Sequence, residues 1–170
     1  MSPSQRFYLI GQSGVGAAIA NAVINGGLGW AATRSLATFP MWHVPGVAVD
    51  LAATAFGVTF GTCIFMAIQV PFDFGRKKLV AVALSPGLAA FLARFPRGLL
   101  VRGLGLGFLS IPLFALPVIA ALAVLGGSDM ASQRYVALKA ALAAVQGGII
   151  TPFIVLAALG DVVARQKPAG

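Results

Sequence analysis

FLSIPLFALPVIAALAVL, residues Phe108–Leu125, is a long run of the sequence without any charged side chain. A helix needs roughly 20 mostly apolar residues to cross the hydrocarbon core of a bilayer. Together with the residues from Gly98 onward, this run predicts a transmembrane helix over 98–125. Pro112 and Pro117 predict a kink or a tilt within it, because proline is tolerated in membrane helices.

The composition of the whole chain agrees with a membrane protein. Hydrophobic residues make up 59% of the 170 residues, charged residues make up 9%, and the mean hydropathy is +0.94. Soluble domains carry about 25% charged residues. We therefore predict an all-α membrane protein, with a single transmembrane domain over 1–170 and four transmembrane helices in an antiparallel bundle. The predicted spans are 7–31, 47–72, 98–125 and 135–160.

The basic residues predict the orientation of these spans. A formal net charge of +8 can indicate nucleic-acid binding, but these residues lie between apolar runs, where membrane topology explains them better. Four spans place nine of them on one side and three on the other, and positively charged loops stay in the cytoplasm. We therefore expect both termini in the cytoplasm. The predicted cytoplasmic set is Arg6, Arg76, Lys77, Lys78, Arg94, Arg97, Arg102, Arg165 and Lys167, and the predicted outer set is Arg34, Arg134 and Lys139.

The middle loop contains an uncharged run, LVAVALSPGLAAFLA, which Pro86 and Gly87 interrupt. It is short for a span, and a fifth span would place the termini on opposite sides of the membrane. We predict instead that segment 79–95 lies in the cytoplasmic interface. Its basic frame either contacts anionic lipid headgroups or serves orientation and anchoring alone. The frame consists of Arg76, Lys77, Lys78, Arg94 and Arg97.

Small and polar residues of the first span recur at steps of three and four, which places them on one face of a helix. This face carries Gly11, Gly14, Ala18, Asn21 and Asn25, and a similar face of the second span carries Asp50, Thr54, Gly57 and Gly61. Small residues let membrane helices approach closely, so we predict that the two faces pack on each other. The asparagines then either bond across this contact or face a substrate.

Two residues of the fourth span have depths that match polar residues of the first hairpin. Lys139 is predicted at the depth of Asp50, which makes an ion pair geometrically possible. Gln146 is predicted at the depth of Asn21, which suggests a contact between their amide groups. The result is a candidate polar intramembrane cluster, which is either a site or helix packing. Its members are Asn21, Asn25, Asp50, Thr54, Lys139 and Gln146.

Two other acidic residues mark the predicted cytoplasmic ends of helices. Asp73 lies near Arg76 in sequence, and Asp161 lies near Arg165. We expect each to form a solvated charge pair with that arginine.

The sequence lacks the motifs of catalysis and of metal binding. His43 is the only histidine, Cys63 is the only cysteine, and neither CxxC nor HExxH occurs. We therefore predict no catalytic residue, no cofactor and no metal ligand, and we favour a protein that is not an enzyme.

Four stretches carry a resemblance to a known group of proteins: NAVINGGLGW (21–30), VDLAATAFGVTF (49–60), LARFPRGLLVRGLGLG (92–107) and ITPFIVLAALGD (150–161). They resemble small, uncharacterised bacterial inner-membrane proteins with an asparagine-rich first helix and an aspartate at the start of the second. The resemblance implies four helices and the bacterial inner membrane. It implies no activity and no functional residue.

Two functions remain open at this stage. The chain is either a small transport or permeation module with a polar intramembrane cluster, or a non-catalytic accessory or assembly subunit that packs onto partner membrane helices. Both are compatible with a homo-oligomer. Neither involves nucleic acid.

Overall fold

A computed structural model of the protein describes residues 3–79, 86–94, 96 and 98–166. Four helical segments in this part of the chain are long and apolar enough to cross a membrane, which confirms the prediction of a mostly helical protein with four such segments. A single helical turn, Pro3–Arg6, precedes the first of them. The long helices are Phe7–Thr33, Val47–Gly75, Leu99–Leu125 and Ser132–Gln166, numbered first to fourth below.

Glycines precede the second and third long helices. Gly46 has an extended backbone, with φ −165° and ψ 169°, and a Cβ atom at this position would overlap the carbonyl oxygen of His43. Gly98 is also extended, with φ −70° and ψ 126°. The start of the second helix at Val47 places Asp50 in its first turn, where free N–H groups favour an acidic side chain.

Two of the long helices contain a π-helical segment. The third consists of the α-helix Leu99–Ser110, the π-helix Ile111–Ala115 and the α-helix Leu116–Leu125. Pro112 has no N–H and its ring crowds the carbonyl group four residues earlier, which a local π turn can accommodate. In the first long helix, the π-helix Phe7–Val15 precedes the α-helix Gly16–Thr33.

A two-stranded antiparallel ribbon joins the two loops at one end of the molecule. Strand β1 (Thr38–Pro40) pairs with strand β2 (Asp129–Ala131), so that Phe39 lies opposite Met130. Gly126 and Gly127 have φ values of 72° and 139°, which favour glycine, and they turn the chain before β2. The predicted all-α fold did not include this ribbon, because three-residue strands are too short for a periodic signal.

The fourth long helix lies at the centre of the packing. It is the most buried of the four and the third is the least buried. It contacts both the first and the second helix, and the second also contacts the third. One apolar core, with Phe39 and Tyr135, lies at the end that carries β1 and β2, called the strand end here. A second core, with Tyr8 and Leu159, lies at the other end, called the termini end.

The predicted interfacial segment 79–95 is described only in part. A short helix, Pro86–Ala93, lies within it, whereas residues 80–85 and 95 fall outside the described residues. Four of the five basic residues of the predicted frame, Arg76, Lys77, Lys78 and Arg94, are exposed, and Arg97 falls outside the described residues.

Candidate functional site in a groove between the first and second long helices

An ion pair joins the second and fourth long helices at the strand end. The Lys139 Nζ donates to Oδ1 and Oδ2 of Asp50 over 2.8 and 2.6 Å. The Tyr135 hydroxyl donates to the same Oδ2 over 2.6 Å, and the Thr54 hydroxyl donates to it over 3.4 Å. The ion pair that the sequence made possible is therefore present.

Helical spacing brings these four side chains together. Tyr135 and Lys139 are four residues apart on the fourth helix, as Asp50 and Thr54 are on the second, so each pair shares a helix face. The Lys139 side chain is 8% exposed and the Asp50 side chain is 31% exposed. The carboxylate is therefore the more accessible half of an ion pair that has no net charge.

The first long helix packs mainly on the fourth helix, and its contact with the second is confined to the termini end. A Cβ atom at Gly14 would lie 3.5 Å from the carbonyl oxygen of Gly148, and one at Gly148 would lie 3.3 Å from Cβ of Ala18. A Cβ atom at Gly147 would lie 2.5 Å from Nδ2 of Asn21 and 3.2 Å from the carbonyl oxygen of Ala17, so glycine allows the closest approach there. Gly14 and Ala18 thus lie at a helix contact as predicted, but the predicted partner was wrong, because consecutive glycines let the fourth helix come closer.

Three other glycines predicted to pack between helices do not lie at such a contact. A Cβ atom at Gly57 or Gly61 would meet no atom within 4 Å. The nearest atoms to a Cβ at Gly11 belong to the ring of Phe7 on the same helix, at 3.3 Å. The packing role predicted for these three glycines was therefore wrong, because the first helix lies against the fourth and leaves the second-helix glycines uncovered.

A groove of about 790 Å³ separates the first and second long helices. Asp50 and Gln69 both line it and are about 28 Å apart along the second helix, at 1.5 Å per residue, which is close to the roughly 30 Å hydrocarbon core of a bilayer. The fourth helix contributes Lys139 and Thr151. The first helix contributes Gln12, Ser13, Gly16, Ala17, Ala20, Asn21, Ile24, Asn25 and Leu28, and the second contributes Asp50, Ala53, Thr54, Gly57, Val58, Gly61, Thr62, Phe65, Met66 and Gln69.

Five of the six residues in the predicted polar cluster line this groove, and Gln146 is the exception. The asparagines donate to backbone carbonyl groups of their own helix: Asn21 to Ala17 over 2.9 Å and Asn25 to Asn21 over 3.0 Å. These bonds hold the two amide groups in place on one face of the first helix without a partner from the second.

Gln146 joins the fourth helix to the second helix instead of the first. Its Nε2 donates to the carbonyl oxygen of Ala55 over 2.5 Å and to the Thr59 hydroxyl over 2.7 Å. The suggested contact between Gln146 and Asn21 is thus wrong, because the Gln146 side chain points towards the second helix. Both helices that form the walls of the groove are consequently held on the fourth helix. The first helix is held through glycine contacts and the second through hydrogen bonds of Gln146.

At the termini end a hydrogen bond joins the first helix to the second. The Tyr8 hydroxyl donates to Oδ2 of Asp73 over 2.7 Å, and Nε2 of Gln69 donates to the same oxygen over 3.3 Å. Asp73 is buried, at 6% exposure, and Arg76 instead places its guanidinium 4.0 Å from the centre of the Phe72 ring. The predicted solvated pair of Asp73 with Arg76 was wrong, because the aspartate turns inward to tyrosine and glutamine donors.

Asp161 also has a different partner from the one predicted. Arg102 of the third helix donates to both of its carboxylate oxygens, over 2.7 and 3.3 Å. Arg102 donates further to the carbonyl oxygen of Pro96 over 2.8 Å. The expected pairing of Asp161 with Arg165 was therefore wrong, because the buried Arg102 of the third helix occupies both carboxylate oxygens. This pair joins the third helix to the fourth.

Two residues that line the groove each carry a buried side-chain oxygen that has no hydrogen-bond partner within the described part of the chain. The two oxygens are Oγ1 of Thr151 and Oε1 of Gln69. Thr151 is fully buried, and a buried hydroxyl without a partner costs about 1–3 kcal/mol. Sequence reasoning missed both residues, although Thr151 directly precedes Pro152 in the fourth helix.

The described residues contain no group of three or more His, Cys, Asp or Glu side chains that could hold a metal ion. No protein-family model, curated protein or solved structure matches the chain. The groove and its polar residues are therefore the structural basis for the proposals below.

Proposed function

We propose that the chain is a multi-pass protein of the bacterial inner membrane, with four helices in an antiparallel bundle and both termini in the cytoplasm. Tyr8 near the start of the first helix bonds Asp73 near the end of the second, which supports an antiparallel arrangement of these two. Arg102 near the start of the third helix and Asp161 near the end of the fourth support the same arrangement for that pair. The nine-to-three distribution of basic residues supports the orientation.

Within that membrane, the protein acts as a small transport or permeation module whose ligand occupies the groove between the first and second helices. The observation that carries this proposal is the groove itself, which is about 790 Å³ and extends over nearly a bilayer thickness. Ligand sites have volumes of about 300–1,000 Å³ and are largely pre-formed. Attachment of both walls to the fourth helix supports a pre-formed site.

The polar side chains along the groove occur at several depths. Asp50 and Asn25 lie towards the strand end, Thr62 and Thr151 lie further in, and Gln69 lies towards the termini end. A polar ligand that moves along the groove would therefore exchange one set of hydrogen bonds for the next. This succession lowers the cost of polar groups inside the hydrocarbon region, where each unsatisfied group costs several kcal/mol.

Filling the groove tests this proposal. Proteoliposomes are assayed for efflux of uncharged polar solutes and for leaflet exchange of a fluorescent lipid. The expected result is movement of at least one permeant above the rate of protein-free vesicles, and a fall towards that baseline in the Gly57→Leu/Gly61→Leu variant. No atom lies within 4 Å of an added Cβ at either position, so the leucine side chains extend into the groove.

Gly105→Leu is the matched control for the filled groove. Gly105 is also an exposed helical glycine with no atom within 4 Å of an added Cβ, but it lies on the third helix and does not line the groove. Its flux should equal that of the unchanged protein. Flux that stays the same in the filled variant, in Asn25→Leu and in Asp50→Asn would contradict transport through the groove, as would the absence of any permeant.

A second candidate function is an accessory subunit that packs onto partner membrane helices. The uncovered Gly57 and Gly61 support it, since two small residues four positions apart are typical of helix–helix contacts in membranes. Crosslinking in the membrane and native mass spectrometry after mild extraction test this candidate. A stable complex that Gly57→Leu disrupts and Gly105→Leu preserves is the expected result, and recovery of the monomer alone would contradict it.

The exposed basic residues at the termini end are proposed to contact anionic lipid headgroups. The exposed side chains of this set support lipid contact; they are Arg76, Lys77, Lys78 and Arg94. Arg97 belongs to the same predicted frame.

A further inference from the structure

We propose that the groove binds a single-chain amphiphile that enters sideways from the bilayer and whose head has no net charge and donates hydrogen bonds. This inference rests on the proposed function, because it names the class of ligand for the same groove. It is argued from three parts of the groove: its polar end, its middle and its rim.

The polar end selects the charge and the hydrogen-bonding character of the head. Asp50 and Lys139 neutralise each other, so a head with a full charge of either sign would meet no opposite net charge. The carboxylate is the more accessible partner of the pair and accepts hydrogen bonds, as does the hydroxyl oxygen of Thr54 beside it. Hydroxyl or amide groups are the uncharged heads that supply donors to such a surface.

The middle of the groove fits a chain better than a helix. Its walls there carry small side chains, among them Ala17, Ala20, Gly57 and Gly61. A helix has a diameter of about 10–12 Å and therefore occupies about 2,500 Å³ over 28 Å. The groove holds about 790 Å³, so it can enclose an extended chain but only one edge of a helix.

A buried hydroxyl provides an independent sign of an occupant. Thr151 is fully buried, lines the groove and has no hydrogen-bond partner for its Oγ1 within the described residues. It is twelve residues beyond Lys139 on the fourth helix, or about 18 Å along the axis. A polar atom of an occupant at that depth, or a water molecule that accompanies it, would satisfy the hydroxyl once the covering side chains shift to expose it.

The rim of the groove determines the direction of entry. Ile24, Leu28 and Phe65 are each more than half exposed and line the groove. Large apolar side chains at the mouth favour contact with lipid over contact with water. An amphiphile dissolved in the bilayer can pass between them with its chain in contact with these apolar side chains.

Competition among three probes of equal chain length tests the proposal. The protein is extracted in mild detergent and mixed with equal amounts of a monoacylglycerol, a fatty acid and a primary alkylamine, and the bound species are counted by native mass spectrometry. We expect the uncharged monoacylglycerol to be retained about tenfold over either charged probe, which corresponds to about 1.4 kcal/mol. Equal retention of the three probes, or none of any, would overturn the proposal.

Charge variants make the same test sharper. Lys139→Met leaves the carboxylate unbalanced and should shift the preference towards the alkylamine, whereas Asp50→Asn should shift it towards the fatty acid. The double variant restores neutrality and should restore the preference for the monoacylglycerol. An unchanged preference in both single variants would overturn the assignment of the head to this end of the groove.

The groove-filling variant covers the case in which the charge variants do not fold. Gly57→Leu/Gly61→Leu should lose the monoacylglycerol and Gly105→Leu should keep it; retention by both would overturn the proposal. The outcome is separable from that of the proposed function. If the protein binds the monoacylglycerol selectively but shows no flux, only the transport proposal is contradicted. If it shows flux that the filled groove blocks but binds no probe selectively, only the proposal of an uncharged amphiphile is contradicted.

Discussion

Asp50 is the common acceptor of a hydrogen-bond network, because three neighbouring side chains donate to its carboxylate. The Lys139 ammonium has fewer alternative partners than the carboxylate. It donates to both oxygens of Asp50, and its other acceptor in this cluster is the Tyr135 hydroxyl, 3.4 Å away. Since the Lys139 side chain is only 8% exposed, water cannot readily replace a lost carboxylate.

Asp50→Asn is therefore expected to lower the free energy of unfolding by about 3 kcal/mol, since it leaves a buried ammonium without its counter-charge. Lys139→Met should cost less, about 1–2 kcal/mol, because Asp50 keeps the Tyr135 hydroxyl at 2.6 Å and is 31% exposed. Unfolding in detergent, monitored by circular dichroism, measures the free energy of unfolding of each variant.

The double variant completes the cycle. Asp50→Asn/Lys139→Met removes both charges at once and should recover most of the loss seen in Asp50→Asn. Strict additivity of the two single effects would contradict a coupled ion pair.

Tyr8 provides the hydrogen bond that joins the first helix to the second at the termini end. In Tyr8→Phe the buried Asp73 keeps the weaker donor Gln69, at 3.3 Å. A hydrogen bond to a charged group contributes about 1.5–3 kcal/mol, so the π-helical segment Phe7–Val15 should open more often. Hydrogen–deuterium exchange of its amides is expected to accelerate by about tenfold, which corresponds to about 1.4 kcal/mol.

Phe7→Leu is the control for this prediction, because Phe7 is 72% exposed in the same segment. Its exchange should match that of the unchanged protein. Equal exchange rates in Tyr8→Phe and the control would show that the hydrogen bond does not hold the first helix to the second.

At the scale of the helices, glycines on different contacts should respond in opposite directions to the same change. Gly147→Ala places a Cβ atom 2.5 Å from Nδ2 of Asn21 and 3.2 Å from the carbonyl oxygen of Ala17, so the Asn21 side chain must shift and the backbone contact with Ala17 must loosen. Such overpacking costs about 1–3 kcal/mol. Gly57→Ala meets no atom within 4 Å and should gain up to about 1 kcal/mol from the higher helix propensity of alanine.

Thermal unfolding of the two variants in one detergent checks the predicted signs. A lower Tm for Gly147→Ala and an equal or higher Tm for Gly57→Ala are expected. The reverse order would favour the packing that the sequence alone suggests, in which the first helix lies on the second.

For the whole molecule, the sequence predicted best those features that depend on a single helix, namely its length and the depth of its residues. The length of each apolar run predicts the long helices, and their observed bounds lie within a few residues of the predicted ones, except that the fourth continues to Gln166. Counting residues from a helix end places Asp50 and Lys139 at one depth, because helical rise is constant. The ion pair between them follows from depth and opposite charge.

The choice of helix partner could not be predicted in the same way. The first helix has two small-residue faces available to it, one with Gly57 and Gly61 and the other with Gly147 and Gly148. Their spacing along the chain does not decide between them, because the choice depends on how closely whole helices approach. Gln146 contributes to the outcome, since its bonds to Ala55 and Thr59 hold the second helix on the fourth helix.

Cysteine labelling at the groove tests the central claim, which is that a groove accessible to polar solutes separates the first and second helices. Cys63 is buried, at 2% exposure, and is replaced by alanine, after which Gly57→Cys, Gly61→Cys and Gly105→Cys are each treated in membranes with a charged, water-soluble thiol reagent. The groove predicts labelling of the first two at least about tenfold faster than the third, which faces lipid on the proposed arrangement. Equally slow labelling at all three positions would contradict it.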